Sequence, residues 1–442
     1  LIMKKNLLRI ISFIASISLV VGICAGCGNN GDKTTSGDKK NNSSNGKIDF
    51  LVDPEEYKGS TVVYATWKDP EKNEDGPVIK NFEEKYGINV DIMLIEQDNY
   101  INKIASSIAS GTQPDIFFEN FTFPGSLTVM QPLDNAKINF KDPIWDQTLI
   151  KESEIDGHPY LLNTLSNVWS ETDICVYNKS IFENNGITSP QEYYDAGKWT
   201  FEAFRECAKQ VASLGSSYTG AEIFGEVALA AAGCASFKKE GDKIVTGMDD
   251  KFYEVNSFLA QMKADGYATY SREGFSDGKT GLALTNAFAL KKTGYYTTIN
   301  PDHLGAVRLP VWKEGDPQYS SSIYRGWGLV KGAKNPVAAG IFLREYLDVN
   351  NYNLDDTFHS QEAANFFFSI TSEQNANKIF YNWYGVNKAT GSSIDVDYAW
   401  YNQTPAQVKI YLDSQVNVVK NACVQANDII KNEKNWLAEN FK

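Results

Sequence analysis

Between Thr61 and Asn120 the chain switches four times between strand-like and helix-like hydrophobic spacing, and this alternation limits the possible folds more than any other feature. TVVYATW (61–67), INVDIMLIE (88–96) and PDIFFEN (114–120) are short runs rich in β-branched, aliphatic or aromatic residues, of strand length. Between the first two, PVIKNFEEKY puts Val78, Ile79, Phe82 and Tyr86 on one helical face, with Pro77 suited to a first turn and Gly87 to a C-cap. A second helix is predicted from Asp98 to Ser110, closed by Gly111. Strand, helix, strand, helix, strand is the pattern of a parallel sheet covered by helices, so the class is α/β. Ligands of such sheets sit at the carboxyl ends of the strands, which directs attention to Trp67, Glu96 and Asn120.

A second α/β region begins after Ser166. It contains the strand-like ICVYN, a helix introduced by WTFEAF, the small-residue run EVALAAAG and the helical KFYEVNSFLAQMKADG. GKTGLALTNAFAL then reads as a strand meeting a helix start, followed by HLGAVRLPVW and SIYRGWGLV. Asn335 and Pro336 suit the cap and first turn of a helix through VAAGIFLREYL, and the remainder reads as mainly helical.

The formal charge of −13, with no long basic run beyond the N-terminal segment, argues against a nucleic-acid partner and against a polybasic membrane patch. Cys175, Cys207, Cys234 and Cys423 are spaced neither as a redox pair nor as a zinc knuckle. They read as buried thiols, with a Cys207–Cys234 disulfide left open. His158, His303 and His359 are too scattered to suggest a metal site or a triad, and neither GxSxG, HExxH nor a Walker loop occurs. No cofactor and no enzyme activity are expected.

The N-terminal segment has Lys4, Lys5 and Arg9, then an uncharged, mostly apolar run from Ile10 to Ile23. That is a secretory signal pattern, too short for a spanning helix. Ala25 and Gly26 before Cys27 resemble the lipobox of bacterial lipoproteins, although Cys24 stands where Leu is preferred. Residues 1–26 are thus expected to be a signal peptide, with Cys27 acylated. Residues 28–47 carry no large apolar side chain and are expected to act as a tether of about 25 Å root-mean-square span.

The elements of the body, in their order, resemble the extracellular solute-binding proteins of sugar ABC transporters. The resemblance is carried by YINKIASSIASGTQPDIFF, VYNKSIFENNGI, KWTFEAFRECAKQVA, SDGKTGLALTN and RGWGLVKGAKNPVAAGIFLREYL. It implies a two-lobed periplasmic-binding-protein-like fold of the class II type, hinged by crossover strands near 163–166 and 283–286. One lobe would take 58–165 plus 286–333, the other 166–285 plus 334–442. It also implies a monomer on the extracytoplasmic face of a Gram-positive membrane, held by its N-terminal lipid and partnered by ABC transporter permease subunits. The solute would be a sugar or oligosaccharide captured between the lobes. The alternatives are a peptide, polyamine or phosphorylated solute on the same fold, or a lipid-anchored carbohydrate hydrolase.

A sugar offers apolar C–H faces and hydroxyls, so its site needs aromatic platforms and a few forked polar groups. Trp67 follows a strand, and Trp327 lies between Gly326 and Gly328, where small neighbours would leave both ring faces open. Trp169, Trp383 and Tyr384 complete the aromatic candidates. Asn120, Asn286, Arg325 and Glu96 are the polar candidates, since Asn offers donor and acceptor together and Arg forks across two hydroxyls. Trp199 reads as the hydrophobic staple of a helix capped by Thr200, and Asp115 as structural.

Overall fold

The computed structural model describes residue 48 and residues 50–120, 122–165, 172–271, 274–352, 357–371, 377–381, 386–387, 390–391 and 394–441. Cys27, with the signal and tether, lies outside them. β1 (Thr61–Thr66) pairs in parallel with β2 (Asn89–Leu94) and β3 (Ile116–Asn120), as the alternating pattern requires. The helices between them, Asp75–Tyr86 and Tyr100–Ser110, stop at Gly87 and Gly111 as expected. β4 (Met130–Gln131) and the late strand β13 (Arg325–Val330) complete this first sheet, in the order β2-β1-β3-β13-β4. Asp115 is structural: its carboxylate accepts from Val63 N at 2.9 Å and from Asn335 N at 2.7 Å, tying β1 to the start of the helix Pro336–Tyr346.

The second sheet holds β5 (Asp173–Asn178), β6 (Thr219–Ile223), β9 (Ala268–Thr269), β10 (Thr280–Asn286) and β11 (Leu304–Val307), in the order β11-β5-β10-β6-β9. A hairpin of β7 (Phe237–Glu240) and β8 (Lys243–Thr246) and a parallel pair of β12 (Tyr319–Ile323) with β14 (Asn377–Tyr381) stand apart. The helix Phe201–Ala212 is capped by Thr200, whose Oγ1 accepts from Ala203 N, and Trp199 packs edge-on to Phe204 at 6.2 Å as a staple does. Cys175, Cys207, Cys234 and Cys423 are buried thiols.

Two expected lobe boundaries are corrected by strand pairing. The second crossing does not occur at Asn286, because β11 pairs antiparallel with the outer edge of β5 and keeps the chain on the second sheet. The return falls at Tyr324, between β12 and β13, where its ring stacks on Phe123 at 5.2 Å. Nor does the second lobe take everything after Ala333. The helix Pro336–Tyr346 packs Phe342 and Tyr346 against Tyr64 and Phe82 in the first core, so the chain crosses once more only after Tyr352. Thr357 and Phe358 then rejoin the second sheet's side by pairing with Lys292 and Lys291. Before the undescribed residues 166–171, Leu162 is bonded to Trp327 of the first sheet, and after them β5 belongs to the second.

The helix Pro405–Asn440 binds the two halves together. Asn427 exchanges hydrogen bonds with Ile244 on the hairpin, while Glu433 accepts from Tyr160 Oη and from Lys331 Nζ, each at 2.7 Å, on the first-sheet side. The Glu433 side chain is 3% exposed, and Lys331 is the cation paired with it. Lys331→Met is expected to lower the unfolding free energy by about 3–5 kcal/mol, because it strands a buried carboxylate. Adding Glu433→Gln should restore most of it in the same urea titration. A single-variant loss below about 1 kcal/mol would contradict this role.

Candidate functional site

Strand ends of the two sheets converge on one aromatic and cationic cluster. On the first sheet, half-buried Trp67 leaves the end of β1, edge-on to Tyr100 at 5.1 Å and tilted against Phe118 at 5.2 Å. Arg325, at the start of antiparallel β13 and therefore beside the end of β3, lays its guanidinium over Phe118 at 4.9 Å from the ring centre. Lys68 follows Trp67, and its ammonium is pushed down to about 8, first by burial and then by the charge of Arg325.

On the second sheet, β10 ends at Asn286, and the chain turns at once into a short helix, Ala287–Leu290. Asn286 Oδ1 accepts from Phe288 N at 3.1 Å and its amide donates to Tyr295 Oη at 3.2 Å. This cap leaves Phe288 as the one half-exposed residue of an otherwise buried turn. Two ammonium groups approach its ring, Lys68 from the first sheet at 5.8 Å and Lys291 at 5.4 Å from the ring centre. Burial pushes Lys291 down to about 7, a shift opposed by Glu74 and Asp75 and reinforced by Lys68. Phe288 is thus approached from both halves, and it presents a ring beside several N–H donors. Such a set can stack on a C–H face while donating to hydroxyls. Among the described residues, no group of three or more His, Cys, Asp or Glu is placed to hold a metal ion.

The structure brings Trp67, Arg325 and Asn286 to this cluster. Asn286 serves it as a positioning residue, 7% exposed and engaged by its own turn. Asn120 is in backbone register with Arg325. Glu96 is exposed beyond the end of the edge strand β2. Trp169, Trp383 and Tyr384 lie outside the described residues. Trp327 is a correction. It belongs to β13, is 1% exposed, packs on Phe118 at 4.5 Å and donates its Nε1–H to Tyr64 Oη at 3.2 Å. The flanking glycines serve packing, since a Cβ on Gly326 would stand 2.6 Å from Leu162 O and one on Gly328 2.4 Å from Met130 Cε. Phe288, Lys68, Lys291 and Tyr295 escaped the sequence reading. The available signal was Asn286 as a helix cap, which singles out the aromatic that follows it.

The family model described as bacterial extracellular solute-binding protein matches residues 60–349, more than half of the chain, and the chain belongs to that family. It is 24% identical over 220 residues to the erythritol/L-threitol-binding protein of Mycolicibacterium smegmatis. That match spans 43% of this chain and 42% of the relative, so less than half of the relative's length is matched. Among solved structures, the galacto-N-biose/lacto-N-biose I-binding protein of an ABC transporter from Bifidobacterium longum superposes with a TM-score of 0.61 at 15% identity, over 85% of this chain and 98% of that one. The cyclic α-maltosyl-1,6-maltose binding protein from Arthrobacter globiformis gives 0.60 at 15% identity, over 84% and 99%. At such identities the likeness is one of fold, and the fold is the two-lobed periplasmic-binding-protein type.

The loop after Asn120 is held from below by Glu119, which is fully buried. Its Oε1 accepts from Thr122 N at 2.7 Å and from the Thr122 hydroxyl, yet burial raises the carboxyl to about 7. The ordinary unfolded value is about 4.3, so the folded state holds this proton more tightly. The stability it contributes is therefore complete below about pH 4 and lost as pH rises towards 7. Glu119→Gln is expected to lose less stability than wild type between pH 4 and pH 8, read from thermal melts. Parallel pH profiles would show that Glu119 does not titrate in this window.

Proposed function

We propose that the protein captures a sugar or polyol between its two lobes and delivers it to the permease of an ABC transporter. The observation that carries this reading is Phe288, a half-exposed ring on the second sheet approached by Lys68 from the first. A solute seated there touches both lobes, and a ligand that binds the closed state better shifts the population towards it. Family membership supports solute binding. The names of the proteins it resembles, which bind a tetritol, a disaccharide and a cyclic oligosaccharide, support a polyhydroxylated solute. No step of this role needs a catalytic residue, a cofactor or a metal.

The same reading places the body, as a monomer, on the extracytoplasmic face of a Gram-positive cell membrane through an acyl chain on Cys27. Residues 28–47 would supply the slack for closing on solute and docking on a permease. Mass spectrometry of the mature protein is expected to find an N-terminal lipidated Cys27. An unmodified terminus at another residue would contradict the lipid anchor.

The solute reading is tested by calorimetric titration of the purified chain with sugars and tetritols. Phe288→Ala is expected to weaken binding of any hit by about tenfold or more, through loss of the stacking platform. Trp67→Ala should act in the same direction, and Trp327→Ala should chiefly cost stability, by about 3–5 kcal/mol. Unchanged affinity in Phe288→Ala would place the site elsewhere. The three cations Lys68, Lys291 and Arg325, set against Glu74 and Asp75, favour an acidic or phosphorylated sugar as the second reading. Including a hexuronate and a hexose phosphate in the titration distinguishes it.

A further inference from the structure

Three neighbouring strands of the second sheet, β10, β6 and β9, run parallel and therefore end on one side of it. Each is followed by an aromatic residue. Phe288 comes after β10, Phe224 directly after β6 and Tyr270 directly after β9. Adjacent strands are about 4.8 Å apart, so the three strand ends form a row about 10 Å long. This is the side of an open α/β sheet on which ligands bind.

The far end of the row is built as a platform. The Phe224 and Tyr270 rings lie nearly parallel, 21° between planes and 5.8 Å between centres, and both are half-exposed although Gly220–Ile223 beside them are buried. Tyr398 braces them edge-on, at 80° to Phe224 and 88° to Tyr270, and its hydroxyl donates to Glu226 Oε1 at 2.7 Å. Behind this wall Ser236 donates to buried Asp397 at 2.8 Å. Phe224 also occupies the N-cap of the helix Gly225–Ala231 without making a cap hydrogen bond. That position ordinarily goes to Ser, Thr, Asp or Asn, so an aromatic there gives up helix stability.

We infer that the cleft takes a saccharide of at least two pyranose units, one stacked at Phe288 and the next at the Phe224–Tyr270 platform. A four-carbon polyol or a single pyranose spans about one strand spacing and covers only one of these platforms. The inference rests on the sugar reading above and adds the ligand's length and its direction across the strand ends. Tyr398 and buried Glu226, bonded to each other, hold the second platform in place.

The test titrates the full chain calorimetrically with maltose, cellobiose, lactose, mannobiose and xylobiose, each beside its constituent monosaccharides, and with erythritol. Phe224→Leu and Tyr270→Leu keep apolar bulk and remove the ring, and their melting temperatures report folding. The expected result is a disaccharide that binds at least about tenfold tighter than its own monosaccharides. In Phe224→Leu and Tyr270→Leu that advantage should shrink while monosaccharide affinity holds, whereas Phe288→Leu should weaken both. A monosaccharide or erythritol binding as tightly as any disaccharide, with both platform variants silent, overturns the second platform and leaves the sugar reading standing. Binding by none of the saccharides or erythritol overturns the sugar reading itself, and the inference with it.

Discussion

The position of β10 governs the candidate site. It is paired along one edge with antiparallel β5 and along the other with parallel β6, and every one of its residues is buried. A strand held on both sides cannot slide without turning its side chains to the opposite face. Its last residue, Asn286, then caps the turn that delivers Phe288. The platform is therefore set by backbone pairing and one side-chain cap, with little freedom left to the loop. The cations that approach Phe288 are arranged by the same logic, Lys68 by the end of β1 and Lys291 by the end of the turn itself.

A two-lobed trap also needs its halves to stay joined while they move. Crossings of the chain between the sheets join the halves, and the helix Pro405–Asn440 adds a connection that touches both. One hydrophobic cluster runs from Phe117 and Tyr160 on the first side to Leu282 and Phe252 on the second, with Ile430 and Leu437 of that helix among its members. Under the proposed closure, this shared core would bend as well as the crossings. The buried Glu433–Lys331 pair, lying at the first-sheet end of the helix, fixes which half that end follows.

The fold was largely readable because its signals are local. The switch from period two to helical spacing marked β1 to β3 and their helices, and Thr200 with Trp199 marked a helix start. The boundary between halves was not readable, because nothing in LGAV states that it will pair with the free edge of β5 and hold residues up to Ile323 on the second side. Among the candidate residues, Trp67 was picked out by its place after a strand and Arg325 by its forked side chain before Gly-Trp-Gly. Trp327 misled because Gly-Trp-Gly resembles a turn, whereas both glycines admit the backbone of Leu162 and the side chain of Met130 against a continuous strand. Phe288 was hidden inside an apolar run, and its one signal, Asn286 as the cap of a following turn, was missed.

Capture between two lobes is the central claim, and small-angle X-ray scattering of the full chain with and without a saturating saccharide tests it most directly. The account predicts that ligand lowers the radius of gyration of the wild-type protein, and that Phe288→Ala at the same ligand concentration keeps the value of the free state. A saccharide that binds with calorimetric heat while leaving the wild-type scattering curve unchanged would contradict it.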